Sequence, residues 1–120
     1  MLNITVENIG ELAIVECEGR IVQSESAHKL REAVTSQSGA RIVVLELSDV
    51  SAFGNGGFGM LVFLQQWARE HDIRFLLFDP SKSVRSRLEG AKSIAKFYIP
   101  SFQEMMALLV YANSPYALAA

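Results

Sequence analysis

Two runs constrain this chain more than anything else in it. Ile42-Val43-Val44-Leu45-Glu46-Leu47 and Ile73-Arg74-Phe75-Leu76-Leu77-Phe78 are almost entirely apolar and rich in β-branched or aromatic residues, the pattern of strands buried on both faces. Between them Leu61, Leu64 and Ala68 recur at i, i+3 and i+7, which predicts a helix from Gly57 to about Glu70. Two doubly buried strands joined through one helix make a βαβ crossover, whose strands run parallel. The rest of the chain must then cover the faces of that sheet.

It contains the elements to do so. Ile4 and Val6, then Leu12 and Ile14, alternate with polar residues around Asn8 to Gly10, which predicts a hairpin whose second strand reaches Gly19 and at its furthest Ile21. Ser24 offers a helix N-cap, followed by Glu25 in the first turn and by Ala27, Leu30 and Val34 on one face, with Gly39 near the stop. After Asp79-Pro80, Ser81 or Ser83 caps a helix carrying Val84, Leu88 and Ala91. Phe97-Tyr98-Ile99 reads as a short edge strand. Ser101 and Glu104 form a capping box for a last helix with Phe102, Met105, Leu108, Leu109 and Ala112 on one face. The expected fold class is an α/β sandwich, a mixed β-sheet with helices packed mainly on one face. No linker interrupts it, so one domain is expected over 1–112, with a tail over 113–120 marked by the turn signal Ser114-Pro115.

Composition removes several classes of function. The chain has 120 residues, 50% hydrophobic and 20% charged, enough apolar material for one core. Its net charge of −2, from 11 basic and 13 acidic side chains, argues against direct nucleic acid binding. Cys17, His28 and His71 are the whole complement of Cys and His, too few for a zinc site, and no cofactor or metal is expected. The first residues lack the basic and apolar regions of a signal peptide. No apolar run approaches the roughly 18 residues of a membrane span. A cytoplasmic location without membrane insertion is the expectation. No Gly-x-Ser-x-Gly elbow is present, and Cys17 sits in an alternating strand where a small buried thiol fits, so an enzyme is not expected.

The densest motif runs from Glu46-Leu47-Ser48-Asp49-Val50-Ser51-Ala52-Phe53 into Gly54-Asn55-Gly56-Gly57-Phe58-Gly59-Met60-Leu61. It resembles the signature of STAS domains, the anti-sigma factor antagonist-like domains of bacteria, in which Asp-Leu-Ser is followed by Asp-Ser-Ser-Gly-Leu-Gly at a helix start. Leu47, Ser48, Gly57 and Gly59 match, and Phe58 takes the Leu position. Gly19-Arg20-Ile21, Pro80 with Val84, Arg85 and Leu88, and Ile99-Pro100-Ser101-Phe102 extend the likeness over nearly the whole chain. The signalling members are phosphorylated on a serine of the Ser-Ser pair by a partner that is both kinase and anti-sigma factor. Here that pair is Asn55 and Gly56, the preceding Asp is Gly54, and the Asp of Asp-Leu-Ser is Glu46. There is no phosphoacceptor at the family position.

The resemblance implies a protein-binding regulatory module, its partner an anti-sigma factor or related regulatory kinase-like protein, with the usual phosphoswitch absent. Two other readings stand beside it. One is a structural subunit of a larger signalling assembly or of an ABC transporter complex. The other is a small-ligand or nucleotide binder that uses backbone N–H groups at the glycine turn. A homodimer is compatible with the sequence. The glycines allow left-handed or tight conformations, and Asn55 could cap the helix. The expected partner-binding residues are Gly54, Asn55, Gly56, Gly57, Phe58 and Phe63. Phe63 belongs to them because helical spacing turns it away from Leu61, toward Gln66 and Glu70. Lys82, Arg85, Arg87, Lys92 and Lys96 form a basic stretch against Glu89 alone, a solvated face or a dock for an acidic partner.

Overall fold

The computed structural model describes residues 1–92 and 96–113. The tail expected over 113–120 lies outside the described residues except for Asn113. The elements run β1 (Leu2–Ile9), β2 (Leu12–Ile21), α1 (Ser24–Thr35), β3 (Ile42–Phe53), α2 (Asn55–Glu70), β4 (Arg74–Phe78), α3 (Lys82–Gly90) and α4 (Phe102–Ala112). The sheet order is β1-β2-β3-β4. β1 pairs antiparallel with β2, while β2 with β3 and β3 with β4 are parallel. The sheet is mixed, and the crossover read from the two apolar runs is present as β3-α2-β4.

Alternation along the strands divides the core in two, because successive side chains point to opposite faces. Ala13, Val15, Cys17, Val43, Leu45, Leu47 and Leu77 join Leu30 and Val34 of α1, Leu61, Leu64 and Ala68 of α2, and Val84 and Leu88 of α3. Leu12, Ile42, Val44 and Leu76 meet Met105 and Ala112 of α4 on the other face. Among the described residues, three helices thus cover one face and one helix covers part of the other.

Several boundaries differ from the sequence reading. β3 continues through Ser48, Asp49 and Ser51 to Phe53, because Val50 and Phe53 are buried there and register shifts at Glu16/Glu18 and Gly19/Arg20 let β2 follow it. The N-cap of α1 is Gln23 rather than Ser24, without a side-chain cap bond. Ser81, not Ser83, is the N-cap of α3, accepting from the Val84 N–H. The 97–99 stretch makes a single bridge between Leu76 and Tyr98, not a strand. The capping box of Ser101 and Glu104 is present. Phe102, expected on the packed face of α4, is 65% exposed: it stands on the flank of the helix, while Met105 and Ala112 face the sheet.

A candidate partner-binding surface at the start of the second helix

β3 passes into α2 through one residue. Gly54 is the N-cap with φ −113 and ψ −168, extended backbone, and α2 begins at Asn55. The Gly54 N–H donates to Ile21 O at 3.0 Å, and the Phe58 N–H donates to Gly54 O at 3.0 Å. The junction is thereby tied to the end of β2. Asn55, expected as the cap, is the first helical residue, and the cap makes no side-chain hydrogen bond. None of the junction glycines uses a left-handed conformation; the glycines with positive φ are Gly10 and Gly19.

The glycines serve close approach instead, and unequally. A Cβ on Gly57 would lie 2.6 Å from Phe53 Cε1 and 2.8 Å from Ile21 O, and on Gly54 it would lie 3.4 Å from Val22 Cγ1. Gly57 is buried and faces the protein's own core. Gly56 is exposed, with its nearest such contact Val22 O at 3.6 Å, and Gly59 has nothing within 4 Å. Asn55 is exposed and Phe58 half-buried. The surface at this point is therefore Asn55, Gly56 and Gly59, with Gly54 and Phe58 at its margin and Gly57 beneath it.

Phe63 lies two turns along α2 and is 42% exposed. The Arg31 guanidinium of α1 lies 4.9 Å from its ring centroid, a contact worth ~0.5–1 kcal/mol at an exposed site. Val62 beside it is also exposed. Asn55, Gly56 and Phe63 thus share one exposed side of α2.

Hydroxyls fix the end of β3 from the other flank. Ser81 Oγ donates to Val50 O at 2.6 Å, Ser83 Oγ donates to Ser51 O at 3.0 Å, and Ser51 Oγ donates to Gly19 O at 3.2 Å. The start of α3, with exposed Lys82 and Arg85, is thereby held against the end of β3 that leads into α2. The sequence showed Ser81 and Ser83 only as alternative caps. Val22 and Arg31 carried no local signal, since their roles arise from packing between elements distant in sequence.

The remaining reactive groups are occupied. Glu46 accepts from the Ser48 N–H at 2.6 Å and from Ser48 Oγ at 2.8 Å, so the acidic residue preceding Leu47 and Ser48 braces the strand. Cys17 is buried, and burial, with Glu46 adding to it, pushes its thiol up to about 12; the unreactive thiol form prevails at neutral pH. His28 forms an exposed pair with Glu32 at 3.4 Å. His71 stacks on Trp67, with Nδ1 2.8 Å from Trp67 O. Among the described residues no group of three or more His, Cys, Asp or Glu could hold a metal ion, and no helix is long and apolar enough to cross a membrane.

The family pattern of the STAS domain matches residues 3–105. No curated protein matches the sequence. Among solved structures, an anti-sigma factor antagonist from Mycobacterium paratuberculosis is similar at TM-score 0.77 and 17% identity, over 92% of this chain and 95% of that one. The unphosphorylated anti-sigma factor antagonist SpoIIAA gives TM-score 0.73 and 12% identity over 90% and 96%. A putative anti-sigma factor antagonist from Thermotoga maritima gives 0.72 and 20% over 89% and 94%. At these identities the likeness is one of fold.

Proposed function

The chain belongs to the STAS domain family, and from that premise we propose that it is a protein-binding regulatory module of the anti-sigma factor antagonist type. One observation carries this reading. At the place of the family's serine pair, the start of α2 presents Asn55 and Gly56 to solvent, bare of bulky side chains, with exposed Phe63 on the same helix. A partner can approach the backbone closely there. The partner class is a serine-kinase-type anti-sigma factor, and its capture frees the sigma factor. Neither Asn55 nor Gly56 has a hydroxyl, so binding is constitutive and governed by the amount of protein. The role is non-catalytic and cytoplasmic.

The test is a pull-down from the native cell with the wild-type chain and Gly56→Trp. A Cβ at position 56 meets only an ordinary contact, so the variant folds and its indole blocks docking. The expected result is a kinase-fold partner captured by wild type and lost with Gly56→Trp. Unchanged capture by the folded variant places the binding surface elsewhere. Recovery of a transporter ATPase in the partner's stead moves the reading to the structural-subunit alternative.

A further inference from the structure

The two edges of the sheet are treated differently. β4 is five residues long, opens with exposed Arg74, and has its outer side bridged by Tyr98, whose carbonyl accepts from the Leu77 N–H at 2.9 Å. β1 is eight residues long, and among the described residues no strand or bridge lies beyond it. Exposed edges are ordinarily blunted by proline, lysine or a bulge, because their free N–H and C=O groups recruit another strand. Leu2-Asn3-Ile4-Thr5-Val6-Glu7-Asn8-Ile9 has no proline and no basic residue, and its register with β2 is unbroken.

The ladder shows which groups are free. In an antiparallel pair, residues alternate between exchanging hydrogen bonds with the partner strand and pointing their backbone groups away from it. The Arg20 N–H donates to Met1 O at 3.1 Å, and continuing the register from that bonded pair makes Asn3, Thr5, Glu7 and Ile9 the residues bonded to β2. Leu2, Ile4, Val6 and Asn8 therefore direct their backbone groups outward. Lys29 Nζ takes the Leu2 carbonyl at 2.5 Å. The open stretch is Ile4, Val6 and Asn8, centred on Val6, which is 37% exposed.

We propose that β1 is a self-association edge, pairing antiparallel with β1 of a second copy of this chain about a two-fold axis at Val6. In that register Val6 faces Val6 and Ile4 faces Asn8, so the free edge groups of each copy are used up by the other. Thr5 and Glu7 face each other on the opposite side of the sheet, which keeps the two Glu7 carboxylates from meeting directly. A second copy is the occupant because the edge is self-complementary: its one charged residue falls opposite a hydroxyl. Ile4, already packed against the core, and Val6 continue the apolar face across the junction. The sheet would then have eight strands, closed at both ends by the bridged β4.

Sedimentation velocity of the full chain from micromolar to millimolar concentration tests this. The expected result is a concentration-dependent rise to twice 13.3 kDa, and loss of that species in Val6→Pro, which removes an outward N–H while sparing the β1–β2 ladder. Val6→Lys, which sets two ammonium groups against each other at the axis, covers the case in which the proline variant fails to fold. Val6→Cys gives the positive arm: bonded antiparallel partners lie ~5.5 Å apart at Cα, within disulfide reach. Mild oxidation should yield a reducible dimer from Val6→Cys and none from Thr5→Cys. A wild-type chain that stays monomeric over the whole range overturns the proposal. So does a dimer that persists in folded Val6→Lys, which would place the contact elsewhere, for example on the outward flank of α4.

Discussion

Gly57 shows how much of the junction depends on a missing side chain. A Cβ there would overlap both the Phe53 ring and the Ile21 carbonyl; the ring can turn aside, but the carbonyl belongs to β2 and cannot. Gly57→Ala should therefore cost about 1–3 kcal/mol, as overpacking does, and a denaturant titration should show the midpoint fall. Gly59→Ala, which meets nothing within 4 Å, should stabilise by up to about 1 kcal/mol through helix propensity. Phe63 gives the converse case, an aromatic whose ring is half in solvent. Phe63→Ser should lower partner affinity while costing about 1–2 kcal/mol of stability, since the side chain is 42% exposed and loses only part of an apolar burial and the Arg31 contact. A loss of about 3 kcal/mol or more would mark a core residue and reject the interface role.

At the scale of elements, α4 depends on its first turn. Ser101 Oγ accepts from the Glu104 N–H at 3.1 Å, and Glu104 accepts in return from the Ser101 N–H at 2.8 Å. Ser101→Ala should cost about 1 kcal/mol, read by chemical denaturation. The backbone and hydroxyl bonds from Ser101, with a further bond from Tyr98, hold the Glu104 carboxyl below its usual range. A depressed folded-state pKa contributes stability above the unfolded value and loses it as pH falls through the folded one. The difference between wild type and Glu104→Gln should thus be present at neutral pH and vanish on acidification through the carboxylate range. This capping box was legible in the sequence because it is local. So were the hairpin, the crossover and the buried stripes of α1 and α2, whose periodicities reflect one-sided burial. The second half of β3 was not: the apolar run ends at Leu47 and Ser48, Asp49 and Ser51 interrupt it, yet Val50 and Phe53 anchor the strand, and the register shifts of β2 allow the pairing. Phe102 was misplaced for a related reason, since helical spacing selects a face without stating how wide a strip the sheet covers.

For the whole molecule, the parallel strands put three helix starts at one end. α1, α2 and α3 begin where β2, β3 and β4 finish, so their N-terminal dipole ends all point that way. Exposed Lys82 and Arg85 lie at the same end, in the first turn of α3 that Ser83 ties to Ser51 of β3. Glu16 pairs with Glu46 and Glu18 with Asp49 across β2 and β3, which gathers four acidic side chains on two neighbouring strands. Net charge alone, at −2, hides this clustering, and the sequence showed only the basic stretch between Lys82 and Lys96. A field of this kind steers encounter more than it holds the complex. Lys82→Glu combined with Arg85→Glu should therefore slow association with an acidic-surfaced partner by roughly tenfold at low salt and leave dissociation little changed. Rising ionic strength should reduce the wild-type rate toward that of the variant, because exposed charges are screened within about 10 Å at 0.1 M salt. Stopped-flow association across a salt series measures both. A rate indifferent to salt and to the double reversal would mean that the basic start of α3 is a solvated face that plays no part in binding.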